Sequence, residues 1–127
     1  MREIINTPNA PAPVGAYNQA IKHNGVLYVS GQIALDPASG ELLTGDIKTE
    51  TRRVLDNLGA ILEAGGSSYA DVIKCSVFVS DIENFGAINT VYATYFDEAT
   101  APARALVEVA NLPKYVNVEI SCIAACG

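Results

Sequence analysis

The sequence predicts a single α+β domain, residues 1–127, in which two amphipathic helices pack on one face of a β-sheet. Half of the 127 residues are hydrophobic and only 17% are charged, as expected of a chain with a packed core. Two segments repeat apolar residues at helical spacing, and several shorter ones are rich in the β-branched residues that strands favour. The length fits one domain.

The N-terminal part predicts strands separated by a proline-rich loop. A short apolar start covers residues 3–5, and the stretch NTPNAPAPVGAY (residues 6–17) has too many prolines for a helix or a central strand. The stretch VLYVSGQIAL (residues 26–35) predicts a strand broken at Ser30 and Gly31, where glycine indicates a bulge or a close backbone approach.

The rest of the chain alternates between helix and strand. Apolar spacing predicts helices over residues 47–64 and 84–97. Strands are predicted over residues 71–81 (with Ile73, Cys75, Val77 and Val79 on one face), 104–110 and 116–125. The element order is β-β-β-α-β-α-β-β, and the strand–helix–strand segment around the second helix should be a right-handed crossover.

Charge and cysteine content narrow the function classes. The formal net charge is -6, and no basic cluster is longer than Arg52-Arg53, which argues against general electrostatic binding to nucleic acid. Cys75, Cys122 and Cys126 have no metal-like spacing and are interpreted as free thiols in a reducing compartment. No secretory pattern or membrane-length apolar stretch is present, so we expect a cytoplasmic protein with no membrane partner.

The available residue types also limit the chemistry. His23 is the only histidine, so a Ser-His-Asp arrangement is excluded, and the sequence contains no phosphate-binding glycine loop and no metal-ligand cluster. An enzyme with this sequence would use carboxylates, arginine, hydroxyls, backbone amides and water.

Arg104 is the first candidate site residue, because it begins a strand that is otherwise half-buried and apolar. A guanidinium is costly to bury unless it meets an anion. Arg104, Leu106 and Glu108 alternate onto one face. If the last two strands pair as neighbours, Glu119 lies near Leu106 and one diagonal step from Arg104. Alternation leaves two hypotheses open, in which Arg104 neutralises Glu119 or Glu108, or binds a ligand's carboxylate.

Five segments carry a resemblance to a known family. They are VGAYNQA, YVSGQI, DVIKCSVFVSD, INTVYATYF and PARALVEVANLPKYVNVEI. Their combination, and above all the spacing of Pro102-Ala103-Arg104, Leu112-Pro113 and Glu119-Ile120, resembles the RidA family, also called YjgF or L-PSP. The resemblance covers nearly the whole chain.

The resemblance implies a chorismate-mutase-like α+β fold and a homotrimer around a central β-barrel, with ligand clefts between adjacent subunits. It also implies an activity, which is hydrolysis of the reactive imino acids 2-iminobutanoate and 2-iminopropanoate (or its enamine, 2-aminoacrylate). The products are 2-oxo acids and ammonia, the partners are these small acids, and no cofactor is needed.

The same resemblance implies roles for site residues. Arg104 matches the arginine that binds the substrate carboxylate, and Glu119 matches the glutamate associated with the hydrolytic water. Four further positions match cleft residues: Tyr17, Ser30, Gly31 and Asn89. Leu106 stands where many relatives carry a cysteine, so this position supplies no thiol.

Alternative interpretations accompany these assignments. Tyr17 and Ser30 are also explained as polar groups satisfied within the fold, and Asn89, off the apolar stripe of its helix, as a cap or loop bridge. Some relatives are described as translation inhibitors or ribonucleases acting on single-stranded RNA, a function against which the acidic composition counts. A non-catalytic 2-oxo-acid-binding regulator would need Arg104 but no water-activating Glu119.

Overall fold

Six strands form one mixed sheet in the computed structural model, which describes residues 1–127. The elements in chain order are β1 (Glu3–Ile5), β2 (Ala20–His23), β3 (Val26–Gln32), α1 (Ile47–Ala64), β4 (Val72–Val79), α2 (Phe85–Tyr95), β5 (Ala103–Glu108) and β6 (Val118–Ala125). The α+β class is therefore confirmed, and the β-β-β-α-β-α-β-β order agrees in the number of strands, although one of the first three lies elsewhere than predicted.

The N-terminal strands differ in detail from the sequence prediction. Strand β3 continues through Ser30 and Gly31, where a break was predicted, and the irregularity is only a register shift between Val29 and Gln32. Strand β2 was not predicted, yet it pairs with both β1 and β3. Only four residues long, β2 shows little alternation. The Asn24-Gly25 turn that joins it to β3, with φ values of 52° and 76°, is a strong hairpin signal.

The strand order is β1-β2-β3-β6-β4-β5, which corrects the conditional pairing of the last two strands. Strand β4 lies between β5 and β6, so β5 and β6 are not neighbours. The reason is the α2 crossover, which returns the chain beside β4 and makes β5 its parallel partner. Strand β6 then pairs antiparallel with the other edge of β4.

Both helices cover one face of this sheet and build the core with it. The buried helical residues include Val54, Leu55, Leu58, Ile61 and Leu62 of α1 and Ile88, Val91 and Tyr92 of α2. The prediction for β4 is wrong at one position. A register shift between Val72 and Lys74 turns Val72 inward and leaves Ile73 51% exposed.

A buried glutamate that the sequence did not reveal ties α1 to β6. Glu50 lies in the first turn of α1, is fully buried, and accepts hydrogen bonds from Asn117 N (2.7 Å), Asn117 Nδ2 (2.8 Å) and Val118 N (3.2 Å). Its carboxyl group satisfies backbone donors that would otherwise be buried without partners. Because Glu119 follows directly, Glu50 also fixes the backbone that carries this candidate site residue.

Candidate functional site

Arg104 lines a cleft of about 430 Å³ between α2 and the start of β5. Its walls are Asn89, Tyr92, Ala93, Phe96, Glu98, Ala101, Pro102 and Arg104. Pro102 fixes the backbone two residues before the arginine. The cleft therefore presents one guanidinium among small and aromatic side chains, with the polar groups of Asn89 and Glu98 also in its wall.

The neighbours of the Arg104 guanidinium are neutral. Its Nη1 donates a hydrogen bond of 2.9 Å to Asn89 Oδ1, and its Cζ lies 4.8 Å from the centroid of the Tyr92 ring and 5.6 Å from that of Phe85. Arg104 forms no ion pair within the chain. Asn89 is neither a cap nor a loop bridge, since it binds the arginine. The guanidinium thus keeps donors that no carboxylate of the chain binds, at an open cleft whose wall also contains Glu98.

The two carboxylates considered as internal partners of Arg104 lie elsewhere. Across the sheet, Arg104 is level with Cys75 on the helix-covered face, whereas Glu119 is level with Phe78 on the opposite face. Glu108 accepts a hydrogen bond of 2.9 Å from the backbone N of Ile82. The hypothesis that Arg104 is neutralised by Glu119 or Glu108 is therefore wrong for this chain.

Glu119 lines a second cleft, of about 120 Å³, on the other side of the sheet. Its walls are Pro11, Ala12, Val14, Tyr17, Gln19, Gly31, Gln32, Ile33, Leu35, Pro113, Lys114 and Glu119. The carboxyl group of Glu119 lies directly against Gly31, where an added Cβ would stand 2.8 Å from Glu119 Cδ. Partial burial raises the pKa of Glu119 above its ordinary value. A carboxylate with a raised pKa is a stronger base toward water.

The proline-rich loop that carries Tyr17 is ordered around a buried glutamine that the sequence did not single out. Gln19 Nε2 donates to the carbonyls of Thr7 (3.0 Å) and Pro11 (2.8 Å), and Gln19 Oε1 accepts from Thr7 N at 2.6 Å. Tyr17 is 48% exposed at the cleft wall. Gln19 therefore holds the loop that places Tyr17 in the wall of the cleft that Glu119 lines.

The structure separates the six matched residues into two groups and one anchor. Arg104 and Asn89 belong to one cleft, and Tyr17, Gly31 and Glu119 belong to the other. The Ser30 hydroxyl donates a 2.7 Å hydrogen bond to the Asn18 carbonyl and does not line either cleft. No three His, Cys, Asp or Glu side chains lie together as metal ligands would.

No helix of the chain has both the length and the apolar character needed to cross a bilayer.

The chain is similar in sequence to known proteins over nearly its whole length. Residues 7–126 match the family model described as Endoribonuclease L-PSP. The RutC family protein slr0709 of Synechocystis is 53% identical over 96% of this chain and 95% of its own. The rat 2-iminobutanoate/2-iminopropanoate deaminase is 46% identical over 100% of this chain and 92% of its own.

A solved structure is similar over the whole fold. Escherichia coli TdcF, determined with bound serine, superposes with a TM-score of 0.92 and 41% identity, covering 98% of this chain and 99% of its own. Given these matches and the sheet and helices described above, the chain belongs to the RidA/YjgF family, the L-PSP proteins.

Proposed function

We propose that the protein hydrolyses 2-imino acids to 2-oxo acids and ammonia. The observation that carries the proposal is the Arg104 guanidinium, which meets no carboxylate of its own chain and faces an open cleft. A guanidinium in this state is suited to bind the α-carboxylate of a small organic acid through two parallel hydrogen bonds.

The complete site is proposed to form between adjacent copies in a homotrimer. One copy supplies the Arg104 cleft and the next supplies the Glu119 cleft, because the two clefts open on opposite faces of one sheet. The sheet face away from the helices supports this assembly, since it leaves Tyr28 and Val107 about half exposed, at 48% and 46%. A neighbouring copy would cover these side chains and bring the two clefts together.

The proposed reaction needs positioning and one proton acceptor. Arg104 holds the substrate carboxylate, which places the C=N carbon beside a water held by Glu119 of the adjacent copy. Glu119 takes a proton from this water as its oxygen adds to the carbon, giving a tetrahedral aminoalcohol. Glu119 passes this proton to the nitrogen and then relays the proton of the new hydroxyl to it, so the nitrogen leaves as ammonia while the C=O bond forms. The net change is imino acid plus water to 2-oxo acid plus ammonia, which balances without a redox partner.

Two relatives support the substrate class. The rat relative is named for deamination of 2-iminobutanoate and 2-iminopropanoate. The TdcF structure contains serine, a small molecule with an α-carboxylate. Both ligands present the group that Arg104 is suited to bind.

The proposal is tested by coupling the protein to a threonine dehydratase, which releases the imine in solution. Threonine is added with a nucleophilic imine trap, and the rate of 2-oxobutanoate formation is compared with the trapped fraction. We expect the protein to reduce the trapped fraction and Arg104→Ala to abolish the effect while remaining folded. An unchanged trapped fraction with the wild-type protein would reject the deaminase. Binding of 2-oxobutanoate without turnover would then indicate a regulator, and cleavage of single-stranded RNA a ribonuclease.

Substitution of Glu119 tests the proposed base. Glu119→Gln keeps size and polarity but removes the proton acceptor, so hydrolysis should fall by about 10²–10⁴-fold. The affinity for 2-oxobutanoate, measured by calorimetry, should change far less, because Arg104 supplies the carboxylate contact. Equal losses in turnover and affinity would assign Glu119 to binding instead.

A further inference from the structure

Phe85, Asn89 and Tyr92 occupy one face of α2 and surround the Arg104 guanidinium. Residues at positions i, i+4 and i+7 lie along one stripe of a helix, and seven residues rise by about 10.5 Å. Arg104 Cζ lies over both rings, 4.8 Å from the centroid of Tyr92 and 5.6 Å from that of Phe85. The guanidinium therefore contacts two aromatic rings and the Asn89 side chain of the same helix face.

The Tyr92 ring is itself held by other aromatic rings. It packs at 4.6 Å and 37° against Phe96, which meets Tyr69 edge-on at 5.7 Å and 87°. The Tyr69 hydroxyl donates a 2.6 Å hydrogen bond to the carbonyl of Leu55 in α1. Ring contacts thus run from Tyr69, which is hydrogen-bonded to α1, through Phe96 to Tyr92, and they hold the Tyr92 ring in position.

The hydroxyl group of Tyr92 does not explain this placement. It is the one buried side-chain polar atom of the protein without a hydrogen-bond partner. Burial, followed by the neighbouring Cys75 thiol, raises the pKa of Tyr92 far above its ordinary value, so the hydroxyl stays neutral. The contribution of Tyr92 to the Arg104 cleft is therefore its ring.

We propose that Phe85, Asn89 and Tyr92 form a cradle that positions Arg104 so that only the edge of its guanidinium is offered to substrate. Both rings lie against the guanidinium, and the hydrogen bond to Asn89 Oδ1 holds its Nη1. A carboxylate then binds edge-on through two parallel N–H···O bonds. This inference rests on the proposed function and assigns Phe85 and Tyr92 as positioning residues.

The cradle predicts an effect on binding that would not occur if the two rings only stabilised the fold. Arginine exceeds lysine at a carboxylate site only where its planar fork is aligned for bidentate binding. In the wild-type protein, Arg104→Lys should therefore weaken 2-oxobutanoate binding by about 10-fold or more. In a variant that lacks one of the rings, the guanidinium is no longer aligned, and Arg104→Lys should weaken 2-oxobutanoate binding by about 3-fold or less.

The test is a double-mutant cycle measured by calorimetry with 2-oxobutanoate as the probe. Its members are the wild-type protein, Arg104→Lys, Tyr92→Leu and the double variant. We expect the losses in affinity to be strongly non-additive. In a Tyr92→Phe background, which keeps the ring, Arg104→Lys should weaken binding almost as much as in the wild-type protein. Phe85→Leu provides a second cycle at a side chain that is 42% exposed, in case Tyr92→Leu fails to fold.

Ile88→Ala is the matched control, because Ile88 is fully buried on the same helix. It should lower stability as much as Tyr92→Leu or more. Arg104→Lys should nevertheless weaken 2-oxobutanoate binding in this background as much as it does in the wild-type protein. Additive losses in both ring cycles would overturn the cradle while leaving the carboxylate site intact. Unchanged binding in Arg104→Ala would instead overturn the proposed site, and the cradle with it.

Discussion

Glu119 and Gly31 show how one residue makes room for another in the candidate site. A Cβ at Gly31 would lie 2.8 Å from Glu119 Cδ and 3.1 Å from Glu119 Oε1. Gly31→Ala should therefore displace the carboxyl group, and a shift of about 1 Å is expected to reduce imine hydrolysis by about 10²-fold. The measurement is kcat in the dehydratase-coupled assay, with thermal unfolding as a check on the fold.

Gly86→Ala is the control for this substitution, because a Cβ at Gly86 in α2 would meet nothing within 4 Å. It should leave kcat unchanged. If Gly31→Ala had wild-type activity as well, the position of the Glu119 carboxyl group would not matter for turnover.

The raised pKa of Glu119 gives a second prediction, on pH dependence. Burial raises this pKa above 4.5, and a general base acts only when deprotonated. Activity should be fully present above the raised pKa and lost as the pH falls through it, so the acid limb of kcat lies above pH 4.5. The folded state then binds this proton more tightly than the unfolded state, so stability falls as the pH rises through the same range. Glu119→Gln should remove both effects, and an unchanged acid limb would assign it to another group.

The turn before β6 carries backbone strain beside the Glu119 cleft. Lys114 and Tyr115 both have φ values of 54°, in the left-handed region that favours glycine. Tyr115 is 84% exposed, so removal of its side chain should cost little packing. We expect Tyr115→Gly to be more stable than Tyr115→Ala by about 1 kcal/mol in chemical denaturation, because glycine relieves the strain. The usual order, with alanine more stable, would show that the turn is not strained.

The contact between α1 and β6 predicts a large stability effect. Glu50→Ala leaves Asn117 N and Val118 N buried without an acceptor, and we expect the free energy of unfolding to fall by about 3 kcal/mol. Glu63→Ala, at an exposed position of the same helix, should change it by less than about 0.5 kcal/mol. Denaturant titration measures both, and similar small changes would mean that other groups or water replace Glu50.

The sequence predicted the helices and strands better than it predicted which strands lie side by side in the sheet. Apolar periodicity located both helices and β4 to β6 because each of these patterns is local. Strand order depends on long-range pairing, which alternation does not encode, so the placement of β4 between β5 and β6 was not predicted. The prediction that Arg104 lies near Glu119 was wrong for the same reason.

Site residues, too, could be predicted only where the signal is local in the sequence or comes from the family resemblance. Arg104 stood out because a charge in an apolar strand is costly, and the resemblance supplied the others. Glu50 and Gln19 were missed. Their hydrogen-bond partners lie on distant segments of the chain, and nothing in the adjacent sequence distinguishes them from ordinary exposed polar residues. Phe85 and Tyr92 lie in the helix that apolar spacing predicted over residues 84–97, but such spacing does not reveal the guanidinium that contacts both rings.

The positions of the two clefts require more than one copy of the chain for a complete site. Arg104 and Glu119 lie on opposite faces of one sheet, and no rearrangement of side chains within a single chain would bring them together. If both act on one substrate molecule, they must come from different copies. The proposed homotrimer meets this requirement, because a cyclic arrangement repeats the same contact between every pair of neighbours.

Mixed oligomers test this requirement directly. Arg104→Ala and Glu119→Gln should each be nearly inactive alone. When equal amounts are unfolded and refolded together, a site at which an intact Arg104 meets an intact Glu119 forms with a probability of about one quarter under random assembly. We therefore expect about a quarter of wild-type activity from the mixture, and light scattering should report three copies per particle. A site contained within one chain would give no recovery, because every chain in the mixture carries a defective half.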